Sequence, residues 1–414
     1  MEVVPRERRP YSTLEKLEMK KSLVALAALA SVSAFAQTTV TLSGNMDVAG
    51  ATSSGTQLGA KGTTFTTGLG TSSTSVINLI AVEDLGGGIK VTAKYGLDPR
   101  TLTNDSLTST NMAAAGSYAT AGTTATSNPN KVTVTGLARD EAYIGIEGNF
   151  GSVKLGAPNS IGLDVNGVSS PLGTAIGSGY GLTDGYLFRT AMATRFDRSI
   201  RVDSGVMNGV KASALYAPGN DESAIAYNST ADAYVARNMP NNRKVTELGL
   251  SYANGPLNVQ YSNIQIAAQT NAVGYYAVAA STSALMSTGY GYVGTKTSLL
   301  GANYNFGNTT VYGAWWVGDS LASTTANVHV SGNRYAVKQN LGAVDLMFQY
   351  TQAVSGSSTT TTAKVIGARA DYNLSKTAAV YAGYENYDTG VTAGTNNTTT
   401  GTRKVTSIGL RKSF

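Results

Sequence analysis

Charged side chains recur at every second position within several short segments of this chain. Successive residues of a strand point to opposite faces, so residues two apart share a face. The parity groups these charges with Asn, Gln and Ser on one hydrated face, where they would steer ions by their field. The basic members of this face are Lys90, Lys94, Arg139, Lys154, Arg195, Arg201, Lys211 and Arg369, and the acidic members are Asp47, Glu141, Glu147, Glu247, Asp345, Asp371 and Glu385.

Residue types that usually carry covalent or metal chemistry are scarce. The chain has no cysteine and one histidine, His329, which lies in a polar Thr/Asn/Gly stretch. Disulfides and thiolate metal sites are therefore excluded, and a His-based catalytic dyad or a multi-His metal site is disfavoured. We expect no catalytic residues, no metal and no cofactor. The modest net charge of +6 gives no argument for nucleic acid binding.

The elements that carry the charged face are predicted to be strands. Apolar and polar residues alternate in the segment 344–350 except at Met347, and the segments 257–262 and 300–306 repeat the pattern. No stretch after residue 36 reaches the roughly 18–20 consecutive apolar residues that a membrane helix needs. A membrane protein built from this chain must therefore be a β-barrel, with the apolar face of each strand toward lipid.

Short and long connections alternate along the chain. The pattern predicts an all-β, transmembrane, antiparallel up-and-down barrel of sixteen strands with short periplasmic turns and long extracellular loops. The short turns are predicted at 85–88, 148–151, 208–209, 254–256, 306–308, 341–343 and 374–376, and the long Thr/Ser/Gly/Asn-rich connections at about 52–74, 98–138, 157–194, 217–245, 268–295, 318–333, 354–363 and 388–402.

The amino-terminal region has the features of an export signal. Lys20 and Lys21 precede an apolar run from Leu23 to Ala34, and the small residues Ala34 and Ala36 come just before the expected cleavage point at Gln37. We interpret residues 19–36 as a signal peptide, residues 1–18 as a non-native upstream extension, and residues 37–414 as the barrel.

Four segments also resemble a known family. Residues 37–44 followed by Asp47, residues 83–90, residues 142–156 and the ending 409–414 are similar to the Gram-negative general-diffusion porins of the Neisseria and Burkholderia type. In that family they correspond to the first strand, the first periplasmic turn, the second hairpin and the terminal strand. The resemblance spans residues 37–414.

The resemblance implies an outer-membrane homotrimer among lipid and lipopolysaccharide, in which each subunit passes ions and small hydrophilic solutes. It also implies that the third loop folds into the lumen as a constriction. Here that loop would be about 157–188, carrying Asp164 and Asp184, and the segment from Arg195 to Arg201 would start the next strand. Opposed arginines and loop carboxylates would then set a transverse field. A mobile outer loop, and wall charges paired with Asp197 and Asp203, are the alternatives.

The sequence departs from the family at three sites where relatives often carry basic residues. The matching positions are Val76, Ile80 and Ala157, so we expect weak charge selectivity rather than anion preference. A substrate-specific channel remains an alternative because its specificity would reside in a few residues at the constriction. A secreted β-rich adhesin would show a fixed internal repeat, and an outer-membrane hydrolase would need a base beside its nucleophile.

Overall fold

The alternating segments form strands over most of their length. The structure, a computed structural model, describes residues 38–55, 62–66, 71–97, 138–179, 194–218, 224–228, 233–237, 244–267, 295–323, 326–356, 360–391 and 401–414. The predicted extension and signal peptide lie outside these residues, as do Asp184 and the side chain of Arg139.

The described residues form nineteen strands and one helix. They are β1 (Thr39–Gly55), β2 (Gly62–Thr66), β3 (Val76–Gly86), β4 (Ile89–Leu97), β5 (Ala138–Gly148), β6 (Gly151–Ala157), α1 (Ile161–Ser169), β7 (Ser199–Ser204), β8 (Val210–Ala217), β9 (Ala224–Asn228), β10 (Ala233–Arg237), β11 (Val245–Asn254), β12 (Leu257–Ile266), β13 (Thr295–Asn305), β14 (Thr309–Ser323), β15 (Ala326–Leu341), β16 (Val344–Gly356), β17 (Thr360–Ser375), β18 (Ala378–Val391) and β19 (Gly401–Ser413).

Sixteen of these strands close into one antiparallel barrel, which confirms the predicted fold. Each barrel strand pairs with its neighbours along the chain, and the ring closes between β1 and β19, from Asn45 opposite Ser413 to Gly55 opposite Arg403. The other three strands lie outside this ring order. β2 pairs with β1 near the latter's carboxyl end, and β9 and β10 form a separate hairpin.

The short turns gather at one end of the barrel, called here the short-turn end, and the longer connections lie at the opposite loop end. Gly209, Gly307 and Gly342 have positive φ in three of these turns, as tight hairpins require. The strands extend further toward the loop end than predicted. β14 continues to Ser323 and β15 begins at Ala326, so most of the predicted loop 318–333 is strand. Their cross-strand pairing holds these polar segments extended.

The two faces of the wall differ as the alternation predicts. On β16, Leu346 and Phe348 point outward and are 42% and 48% exposed, whereas Met347 between them is 6% exposed and Gln349 is buried. An apolar outer face of this kind is stable in lipid and not in water. Among the described residues, no helix is long and apolar enough to cross a membrane.

Consecutive residues of β3 test which face meets lipid. Leu79 is 45% exposed on the outer face, and Ile80 is half-buried on the inner face. We expect Leu79→Lys to lower the free energy of unfolding in lipid by about 2–4 kcal/mol near the bilayer midplane and less near its surface. Ile80→Lys adds the same charge to the hydrated face and should cost under about 1 kcal/mol. Urea unfolding in vesicles measures both, and equal losses would contradict the assignment of faces.

Candidate functional site

The chain folds back inside the barrel directly after β6. Residues 157–179 lie on the inner face of the wall, and α1 forms within them. Ser160 is the N-cap, because its hydroxyl accepts a hydrogen bond from the amide of Leu163 at 3.1 Å. The buried side of α1 carries Ile161 and Val165, which pack against inward apolar residues of β11 and β13.

Glu247 on β11 holds the start of α1. Its buried carboxylate accepts hydrogen bonds from the amides of Ile161 at 3.0 Å and Gly162 at 2.6 Å. The Ser262 hydroxyl donates a third at 2.7 Å. The first amides of a helix have no partner within the helix and carry partial positive charge, so a carboxylate there satisfies both needs.

Two polar side chains of the wall hold the middle of the segment. Arg334 on β15 donates to the Asn166 side chain at 2.7 Å. Gln349 on β16 accepts from the Ser170 hydroxyl at 2.6 Å and donates to the carbonyl of Ser178 at 3.0 Å. The segment is therefore attached to several successive strands rather than at its ends alone.

The far end of the segment lies against β17 and β18. The amide of Gly177 donates to the Glu385 carboxylate at 2.9 Å. The wall has a glycine at this point, and a Cβ added to Gly367 would lie 2.1 Å from the carbonyl oxygen of Gly177. Only an inward-facing glycine permits this approach of backbone to wall.

These contacts place the described part of the predicted loop 157–188 inside the barrel, along the wall from β11 to β18. The alternative of a mobile outer loop does not fit residues 157–179, because they contact the inner wall. Residues 180–188 lie outside the described part of the chain. The start of the segment also contacts the wall beyond β11, because the amide of Asn159 donates to Glu141 of β5 at 3.0 Å. The exposed or half-buried positions of α1 are Leu163, Asp164, Gly167 and Val168.

The basic candidates nearest α1 are paired with carboxylates. Arg201 contacts Asp164 of α1 at 2.6 Å and Asp203 of its own strand at 3.0 Å. It therefore bridges loop and wall directly, and its pairing with Asp203 is the one that the alternative interpretation predicted. Arg195 forms an ion pair with Asp140.

Two other inward basic side chains are also paired with carboxylates. Lys94 pairs with Glu141 at 2.6 Å. Arg369 pairs with Asp371 at 2.8 Å. Neither Lys94 nor Arg369 therefore presents an uncompensated charge to the lumen.

Three candidate lysines, Lys90, Lys154 and Lys211, lie near the short-turn end instead. Lys90 and Lys154 line an open groove there together with Glu147, Asp203 and Lys211. The Lys154 ammonium also lies 5.1 Å from the centre of the Tyr143 ring. In the part of the chain that the structure describes, no three histidine or carboxylate side chains are grouped as they would be around a metal ion.

Sequence parity placed Glu247 and Glu385 on the inner face but did not show that they hold the loop. Arg334 and Gln349 were missed, although both stand at inward positions of their strands. A usable signal was present in the glycines at inward parity. Gly249 and Gly367 lie where a larger side chain would collide with Ile161 and Gly177.

Substitution of a wall glycine should displace the loop. We expect Gly367→Val to push the backbone at Gly177 off the wall, since even a Cβ would collide there. Single-channel conductance and its open-state noise should change in a planar bilayer. Gly313→Val on β14 is the control, because a Cβ there meets only the Arg334 carbonyl at 3.8 Å. Identical currents from the two variants would contradict the close packing of loop and wall.

Solved structures with the same fold come from several Gram-negative bacteria. The anion-selective porin from Comamonas acidovorans is 20% identical, with 91% of this chain and 100% of that chain covered and a TM-score of 0.60. OmpT, an outer membrane protein of Vibrio cholerae, is 14% identical, with 91% and 98% covered and a TM-score of 0.62. OmpF of Salmonella typhi is 12% identical, with 91% and 97% covered and a TM-score of 0.55. At these identities the likeness shows the fold.

The family comparison extends over most of the chain. A comparison with curated protein sequences finds no significant match. The family model described as Gram-negative porin matches residues 22–392. The chain therefore belongs to the Gram-negative porin family and is a passive-diffusion channel of the outer membrane.

Proposed function

We propose that this porin sorts ions and small hydrophilic solutes mainly by size, with weak charge selectivity. The observation that carries the proposal is the pairing of inward basic side chains with carboxylates beside α1. Arg201 lies between Asp164 and Asp203, and Arg195 and Lys94 each have an acidic partner. Paired charges produce a weak field at the distance of a passing ion.

The uncharged positions at the constriction support the same conclusion. Val76, Ile80 and Ala157 are half-buried, and the family resemblance matches them to sites where relatives often carry basic residues. On α1, Asp164 is the one charged residue, and its side chain is 33% exposed while it contacts Arg201. On the exposed side of α1, a passing solute would therefore meet one neutralised ion pair and otherwise apolar or uncharged groups.

The channel acts, in this proposal, without covalent chemistry. The single histidine, His329, lies toward the loop end of β15, and its Nδ1 is 3.0 Å from the Asp319 carboxylate. Both side chains are more than half exposed. An exposed His–Asp pair outside the lumen constriction offers no positioned base for a nucleophile there.

We further propose that the protein is a homotrimer with one pore in each subunit. A trimer form has been solved for OmpT of Vibrio cholerae, which shares the fold. The outer face of β1 and β19 is rich in exposed apolar residues, Leu42, Ile408 and Leu410 among them. Planar-bilayer insertion should give currents in groups of three equal steps, and single independent steps would contradict the trimer.

Removal of one charge tests the selectivity proposal. Asp164→Asn leaves Arg201 with Asp203 as its one acidic partner and adds positive charge beside the passage. We expect a reversal potential near zero for the unmodified protein in a salt gradient. The variant should raise the anion-to-cation permeability ratio by about two- to fivefold, as a partly exposed charge interaction of about 0.5–1 kcal/mol implies.

The matched control for that experiment is Asp345→Asn, which removes a wall carboxylate near the short-turn end that pairs with Lys338. It should shift the reversal potential less than Asp164→Asn does. Strong anion preference of the unmodified channel would contradict the proposal.

Flux of a sugar, an amino acid and a dicarboxylate through vesicles then separates a size-based channel, with rates ordered by solute size, from a substrate-specific one.

A further inference from the structure

A second chain segment enters the barrel at the end of the first long connection. Residues 71–75 precede β3, and their environment is the inner wall near β1 and β17 to β19. Thr71, Ser72 and Ser75 are buried, whereas Ser73 is half-buried and Thr74 is exposed. Five consecutive hydroxyl residues thus lie in a position that an ordinary surface loop would not take.

Asp47 on β1 holds this segment. Its buried carboxylate accepts hydrogen bonds from the Ser72 hydroxyl at 2.6 Å and from the Ser73 amide at 2.8 Å. The Tyr381 hydroxyl, from β18, donates a further bond at 2.5 Å. Asp47 is fully buried, and in the described structure its carboxylate contacts hydroxyl and amide donors rather than a cation. A buried acceptor that loses its donors costs free energy, so the carboxylate favours the position of the segment that keeps these donors in place.

Two arginines hold the segment from the opposite direction. Arg369 on β17 donates to the carbonyl of Ser72 at 3.0 Å. Arg411 on β19 donates to the Ser72 hydroxyl at 3.2 Å. Both arginines approach Asp371, at 2.8 Å and 3.8 Å. Their two positive charges are therefore balanced by the carboxylates of Asp371 and Asp47.

The segment also meets the far end of the third loop. The amide of Ile176 donates to the carbonyl of Thr71 at 3.1 Å. The Ile176 side chain packs with Ala51 of β1 and Val405 of β19. The loop attached along β11 to β18 is thereby continued by residues 71–75 to β1.

We propose that residues 71–75 are a second constriction element, which continues the inner lining begun by the third loop and presents Ser73 and Thr74 to the passing solute. The inference deepens the proposed channel function and rests on it. The surface that it adds to the passage, formed by Ser73 and Thr74, carries hydroxyl groups and no charge. It limits the width of the passage next to β1 and adds no charge preference.

Cysteine labelling tests whether Thr74 lines the passage. The chain has no cysteine, so Thr74→Cys carries the only thiol. We expect a cationic and an anionic methanethiosulfonate reagent each to lower the single-channel conductance and to shift the reversal potential in opposite directions. Ala382→Cys, on the exposed outer face of β18, is the control and should show neither change.

Release of the segment tests its effect on width. Asp47→Asn replaces one acceptor oxygen by a donor facing the donors of Ser72 and Ser73. We expect higher conductance, more open-state noise and entry of larger sugars in vesicle swelling. Asp345→Asn makes the same chemical change at a carboxylate that contacts Asn340 and Asn373. It should leave the sugar limit unchanged.

The outcomes separate the two proposals. Absence of any current from the unmodified protein would overturn the channel function itself. Normal currents that do not respond to labelling at Thr74 would overturn the second constriction element alone. If Asp47→Asn does not fold, the labelling experiment still decides, because Thr74 is exposed and its replacement removes no buried contact.

Discussion

Hydrocarbon offers no hydrogen-bond partner to a peptide group, and this constraint governs the whole molecule. Strands can cross only if each pairs on both sides, so the sheet must close, as it does between β1 and β19. Closure then creates a second problem inside. A chain segment placed in the lumen against the wall also buries amides and carbonyls, and these need partners that the paired strand backbones can no longer supply.

Side chains of the inner wall supply those partners. Glu247 binds the first amides of α1, Glu385 binds the amide of Gly177, and Asp47 binds the amide of Ser73. Each is a carboxylate at an inward position of a barrel strand, and each accepts from backbone donors of a loop. A charged acceptor forms stronger bonds than a neutral one, which suits short segments without repeating secondary structure of their own.

The barrel was predictable because its signals are local, whereas the loop contacts depend on long-range placement. Period two and tight turns recur within ten residues or so, and they fixed faces and topology. Arg195 and Asp140 are 55 residues apart, and Arg201 and Asp164 are 37 apart. Which of them meet depends on where the third loop runs. The loop-end parts of β14 and β15 were also missed. Beyond the lipid both faces of a strand are in contact with water, so the alternation of apolar and polar residues disappears.

The weak field that we propose for the lumen would follow from the same architecture. A carboxylate that holds a loop amide or an arginine has its charge compensated within a few ångströms, and it is fixed in place by that bond. Arg201 joins β7 to α1 through Asp164, and Arg369 joins β17 to the segment 71–75 through Ser72. The inward charges on these elements therefore serve first to attach the lining. In our proposal, the passage beside these elements is bordered by backbone, hydroxyl groups and small side chains, which discriminate by size.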